Sequence, residues 1–214
     1  MEIRVLPDMS VIVVAPNKAD ITDIKDRVER RGAWIIKNQH FFLNFTPTEP
    51  PRKFVSGETQ RYLGKQYRLK IIPDKSNDVK LKGPFLTIHS TKPKDSSHNR
   101  KLLYDWYRVH ARQKFNAVID SNLSKLSKYG IAQPDLVIRR MKSRWGSCAA
   151  NKNKILLNIE LIRTSSYCIE YVVMHEMCHL KHPNHDYKFY DFLTLVMPDW
   201  RDRKKRLEQE ILRK

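Results

Sequence analysis

The pentad His175-Glu176-Met177-Cys178-His179 constrains this chain more than any other stretch. Positions i and i+4 of a helix share a face, so both imidazoles can be presented to one metal ion with the Glu176 carboxylate beside them. Such spacing carries a definite chemistry: two metal ligands and a general base on little more than one helical turn. Apolar residues precede the pentad (Ile169, Val172, Val173), which predicts a buried helix over about 166–181. Two unpaired imidazoles there would cost free energy unless a metal or hydrogen-bond partners took them up.

A catalytic zinc site takes three protein ligands and keeps a fourth position open. His182 and His185 compete for the third place. On a continued helix His182 would share the face of His175 and His179. Pro183 disfavours helical geometry at the residue before it, however, and Pro183-Asn184 is turn chemistry. A turn there brings His185 back at the head of the next helix. The expected set is zinc on His175, His179 and His185, with Glu176 as the catalytic base. His182, Asn184, Tyr187 and Arg144 stay open as the group that stabilises the oxyanion. Cys178 reads as a small buried side chain rather than a thiolate ligand. Asp186 reads either as a partner of a histidine or as an N-terminal helix residue.

Elsewhere the pattern is mixed α and β. Residues 2–14 predict a hairpin around Pro7-Asp8-Met9-Ser10. Asp20 caps a helix expected over about 21–39, with Ile24, Val28, Trp34 and Ile35 as its apolar side. Arg27, Arg30, Arg31 and Lys37 on that helix read as a solvated basic face in preference to a nucleic-acid contact. Strands follow around 61–63, 66–72 and 85–89, with Gly64-Lys65 as a tight turn. Residues 90–99 are polar and read as a linker. A long helix over about 99–129 ends at Gly130, and its His110 reads as packing. Strands at 136–141 and 155–158 flank Ser143-Arg-Trp-Gly-Ser-Cys148, a hairpin with Trp145 and Gly146 near its bend. Helical patterns close the chain at 189–196 and 201–214. The expectation is an α+β protein: a small β-rich N-terminal domain over 1–95 with one helix, then a catalytic domain over 96–214.

Charge bears on partners. With 41 Lys+Arg against 23 Asp+Glu, the formal charge is +18, which attracts DNA or another polyanion. Three cysteines with no C-x-x-C pair do not suggest a disulfide framework or a cysteine zinc site. No apolar run reaches a membrane span, and the N-terminal order is not that of a signal peptide, so a cytoplasmic protein without membrane contact is expected. Nothing in the sequence sets the oligomeric state.

Together, Ser143-Arg-Trp-Gly-Ser-Cys148, Asn158, the run Tyr171 to His185, Phe189-Tyr190 and Met197-Pro-Asp-Trp200 resemble the YgjP-like metallopeptidase family. Val11 to Pro16, Trp34-Ile35 and Tyr62-Leu-Gly-Lys-x-Tyr-Arg-Leu69 are similar to its N-terminal region. The resemblance implies a zincin-like catalytic region with a short β-sheet, distantly related to SprT-type proteases. It implies zinc on His175, His179 and His185, with Glu176 catalytic and the Arg144-Trp-Gly-Ser segment on a strand beside the site. Asp186 stands where a small hydroxyl residue is expected. Three functions fit: a zinc peptidase acting on protein or peptide, with DNA-associated proteins as a substrate class; a nucleic-acid-binding protein with structural zinc; and a metal-dependent hydrolase of a small amide.

Overall fold

Local chemistry sets the element boundaries in the computed structural model, which describes residues 1–5, 10–17, 19–36, 52–141 and 144–212. Contacts divide the chain into two compact units, Met1–Pro51 with Glu208–Lys214, and Arg52–Leu207.

In the first unit, β1 (Glu2–Val5) and β2 (Val11–Val14) pair antiparallel with Ile3 opposite Val13. This is the expected hairpin; most of its turn lies outside the described residues. Helix α1 (Ile21–Arg30) starts at Asp20, whose side chain accepts from the Thr22 backbone N–H at 2.8 Å. A turn at Arg31 interrupts it, and residues 32–36 are again helical. The remainder of the expected helix to 39, Lys37 included, lies outside the described residues. Trp34 departs from the expected apolar side: it is 41% exposed, while Ile35 next to it is buried. The turn at Arg31 breaks the 3.6-residue period on which that expectation rested.

The second unit holds two sheets. The larger runs in the order β3 (Thr59–Tyr62), β4 (Lys65–Pro73), β6 (Phe85–Ser90), β5 (Asp78–Lys82). Two antiparallel hairpins are joined by parallel pairing of β4 with β6, Leu69 opposite Leu86, both fully buried. Strand β5 was not anticipated; its signal is the Val79/Leu81 alternation before Gly83-Pro84, diluted by three flanking charges. Helix α2 (Ser96–Leu126) is capped by Asp95, which accepts from His98 N–H at 3.0 Å, and the chain turns at Gly130 with φ +81°. The left-handed φ is the conformation glycine adopts without strain. His110 Nδ1–H donates to the Trp106 carbonyl, and its ring lies against the Trp106 ring with centroids 3.9 Å apart, a packing role.

The smaller sheet has the order β7 (Asp135–Arg139), β9 (Lys154–Asn158), β8 (Gly146–Ala149). The β8–β9 hairpin bends at 150–153, where Asn153 has φ +44°, so Gly146 opens β8 at the far end from the bend, not near it. Asn, unlike a β-branched residue, tolerates that left-handed conformation. Helices α3 (Ser166–Cys178), α4 (Tyr187–Val196) and α5 (Trp200–Leu212) complete the chain.

The sequence placed a boundary at 95, but the contact division falls between 51 and 52. The larger sheet is tied to the elements around α3. Leu63 N–H donates to Ile162 O at 2.9 Å, Gly64 N–H to Arg163 O at 3.3 Å, and Tyr107 OH to Arg61 O at 2.8 Å. Gly64 has φ +79°, and a Cβ there would meet Ser165 Cα at 2.9 Å. Glycine thus serves twice: for the turn and for the approach to the residue preceding α3. Glu160 accepts from Tyr104 OH at 2.6 Å and pairs with Arg163 at 3.0 Å, fixing the 159–163 turn against α2. Among the described residues no helix is long and apolar enough to cross a membrane.

Candidate metal centre

Helix α3 presents His175 and Glu176 from its last turn, and His179 stands at its C-cap with φ −66° and ψ −18°. The chain then turns: Lys181 and His182 N–H both donate to Cys178 O. His185 follows the Pro183-Asn184 turn. The three Nε2 atoms converge, at 3.2 Å for His175–His179, 3.0 Å for His179–His185 and 2.9 Å for His175–His185. Ligand nitrogens about 2.0–2.1 Å from a tetrahedral zinc ion stand about 3.3 Å apart, close to this triangle.

Two further observations fit a cation at the triangle. His179 Nδ1 lies 3.0 Å from the His182 carbonyl, which can only accept, so the ring proton sits on Nδ1 and leaves a lone pair on Nε2. Burial also keeps the His175 and His179 rings neutral. The His175 pKa is pushed down to about 3, chiefly by burial and then by its histidine neighbours, and His179 is lowered by burial. Neutral imidazole is the ligand form. The His179 Nε2 lone pair therefore faces the other two Nε2 atoms, where a cation could take it. His175, His179 and His185 are the group that could hold a metal ion among the described residues.

Phe189, fully buried on α4, touches all three rings, with centroid distances of 4.9 Å to His175, 4.4 Å to His179 (stacked) and 4.8 Å to His185. Asp186 caps α4 by accepting from Phe189 N–H at 3.0 Å, which decides between its two readings in favour of the helix terminus. The same cap therefore sets the position of the ring that packs the trio.

Glu176 is 6% exposed, and burial pushes its pKa up to about 8, with the Arg144 charge opposing. Its carboxylate lies against Gly146, where a Cβ would fall 2.5 Å from Oε1 and 2.6 Å from Cγ. Gly146 has no positive φ; what it supplies is space. Asn158 holds the approach to β8: its Nδ2 donates to Met141 O at 2.8 Å and to Arg144 O at 2.9 Å, and its own N–H donates to Trp145 O at 2.8 Å. A cleft of about 350 Å³ is lined by Arg144, by 146–148 of β8, by Pro183, and by Glu176 with the three histidines.

Of the four oxyanion candidates, Arg144 lines this cleft and the other three do not. The His182 ring packs on Phe192 at 5.3 Å. Cys178 is fully buried, and burial raises its thiol pKa to about 12. Sequence reasoning missed Gly146, Phe189 and the His182 carbonyl. Only Pro183 hinted at the last, by fixing the backbone of the residue before it.

A model of the family described as "YgjP-like, metallopeptidase domain" matches residues 1–210. No curated protein compared with the chain matches it. Among solved structures, the crystal structure of the metallopeptidase zymogen of Pyrococcus abyssi abylysin aligns over 46% of this chain and 96% of its own, with 19% identity and a TM-score of 0.41.

Proposed function

The chain belongs to the YgjP-like metallopeptidase family, and from that premise we propose that it is a zinc-dependent peptidase, with the metal on His175, His179 and His185 and Glu176 as general base. The observation that carries this reading is the convergence of the three Nε2 atoms, 2.9–3.2 Å apart, on a cleft that Glu176 also lines. When bound there, zinc supplies Lewis acidity, polarising the scissile carbonyl and making water a nucleophile near neutral pH. Glu176 takes the proton of the attacking water and hands it to the leaving amine. A carboxyl pKa raised toward the working pH suits a group that must both accept and return a proton. Arg144 is assigned to the negative charge that develops on the carbonyl oxygen.

Substrate binding follows from the sheet. β8 is an edge of the order β7-β9-β8 and lines the cleft with 146–148, so an extended peptide can add to it by backbone hydrogen bonds. An opening along an edge strand suits a polypeptide better than a small amide. A structural zinc site closes with four protein ligands, whereas three donors meet among the described residues, which favours catalysis over structural zinc. The charge of +18 favours proteins held on DNA as the substrate class. The test is metal content together with hydrolysis of an unfolded protein, with and without DNA, for wild type and Glu176→Gln. The wild type is expected to bind zinc stoichiometrically and cut; equal cutting by both proteins overturns the assignment of Glu176.

A further inference from the structure

A second concavity lies in the first compact unit. It measures about 410 Å³ and is lined by Arg27, Arg30, Arg31 and Trp34, with Met1 and Ile3, a volume within the ordinary range of ligand sites. Arg27 and Arg30 lie on α1, Arg31 at the turn that ends it and Trp34 on the short helical stretch beyond, and all four line the concavity. All four are exposed, Trp34 by 41%. Among the described residues none of the three arginines makes a side-chain hydrogen bond or an ion pair. Asp23 and Asp26 stand four residues before Arg27 and Arg30, yet neither pairs with them, and neither lines the concavity.

Such a stripe does little for folding. Like charges three and four residues apart repel, and the C-terminal end of the helix dipole offsets only part of that. What three guanidinium groups beside an indole are suited to is a ligand with repeated negative charge and a flat π face. We propose that Arg27, Arg30, Arg31 and Trp34 form a binding site for single-stranded nucleic acid, the guanidinium groups on successive phosphates and the indole stacked on a base. Charge complementarity selects a polyanion, and the indole selects among polyanions. A duplex keeps its base faces stacked on one another, and an acidic peptide or heparin offers no base, whereas an unpaired base gains from an aromatic platform. The site is independent of the metal chemistry: Glu176→Gln loses hydrolysis on the peptidase reading and keeps nucleic-acid binding on this one.

The test is fluorescence anisotropy of a labelled oligo-dT of about 15 nucleotides, titrated with the intact protein over a range of salt. Wild type is expected to bind, and the triple variant R27A/R30A/R31A to bind at least about tenfold more weakly, with the slope of log K against log salt reduced by about 2, since each single-strand phosphate contact contributes about 0.7. A control of equal charge loss, R112A/K125A on α2 with K128A on the turn that follows it, is expected to retain most of the affinity. Trp34→Ala is expected to weaken oligo-dT binding about 5- to 100-fold and to leave heparin binding unchanged. Should the triple alanine variant fail to fold, the lysine variant R27K/R30K/R31K with Trp34→Ala carries the comparison at constant charge. Four results would each overturn the proposal: unchanged affinity and slope in the triple variant; an equal loss in the control; equal affinity of wild type for duplex and oligo-dT; or binding to phosphatidylserine vesicles without binding to oligo-dT.

Discussion

Replacing Glu176 by Gln in chelator-treated protein tests the electrostatics of the site without needing a substrate. Burial raises the Glu176 pKa from 4.5 to about 8. The folded protein therefore binds the proton more tightly than the unfolded chain does. Below pH 4.5 the carboxyl is protonated in both states and costs nothing. As pH climbs toward about 8, the unfolded chain ionises freely while the folded protein resists, so stability falls at about 1.4 kcal/mol per pH unit. Over that interval of about 3.5 units the loss is about 4 kcal/mol, taking the partial ionisation near pH 8 into account. Glutamine has nearly the same shape and no titration. The variant should match wild type near pH 5 and exceed it by about 4 kcal/mol near pH 8. Every other side chain is common to the two proteins, so its contribution cancels in the difference. Urea melts at four pH values, read with equal m-values, measure the gap. Restoring zinc should narrow it, because a cation beside Glu176 favours the carboxylate. A gap that stays flat to within about 0.5 kcal/mol across this range refutes the claim that Glu176 is held in a poorly solvated position.

Gly146→Ala should lower kcat/KM by about 100-fold, since the added methyl forces the Glu176 carboxylate to move by close to an ångström; retained metal content with near wild-type turnover would contradict this. His185→Ala should abolish the rise in melting temperature that zinc gives wild type, because two imidazoles remain of three; differential scanning calorimetry at fixed zinc reads it. Asp186→Ala removes the cap on Phe189 N–H and should cost about 1 kcal/mol of stability by urea melt; a change within error would show that solvent serves that N–H equally well.

Legibility in the sequence followed the range of the interaction. The convergence of His175, His179 and His185 was readable because helical periodicity and one proline are local rules. Helix α2 and its end at Gly130 were readable for the same reason. What packs onto the trio was not. Phe189 looked like one more apolar position of α4, and its place over three imidazoles depends on how α4 docks on α3. Gly146 looked like a turn residue because glycine usually is one, whereas its role is set by Glu176, thirty residues later in the chain. The strand β5, with charges at three of five positions, carried too weak a pattern. The parallel pairing of β4 with β6 is a long-range choice between edges that composition does not encode. The polar stretch Ser90 to Asn99 reads as a linker in the sequence, yet Asn99 is buried there, and its side chain donates to Pro93 O.

The Gly64 turn bears on how such a chain can change length. Two-residue hairpin turns at a surface are ordinarily where insertions are accepted. This one is fastened on two sides, by backbone hydrogen bonds to 162 and 163 and by the 2.9 Å approach to Ser165. An inserted residue at 63–64 would press on the segment that launches α3, far along the chain from the histidines that helix carries. By the same reasoning the smallest fragment able to hold the histidine trio in place begins near 52 rather than 96, because strands β3 to β6 are a prop for the helix that carries His175 and not a separable neighbour.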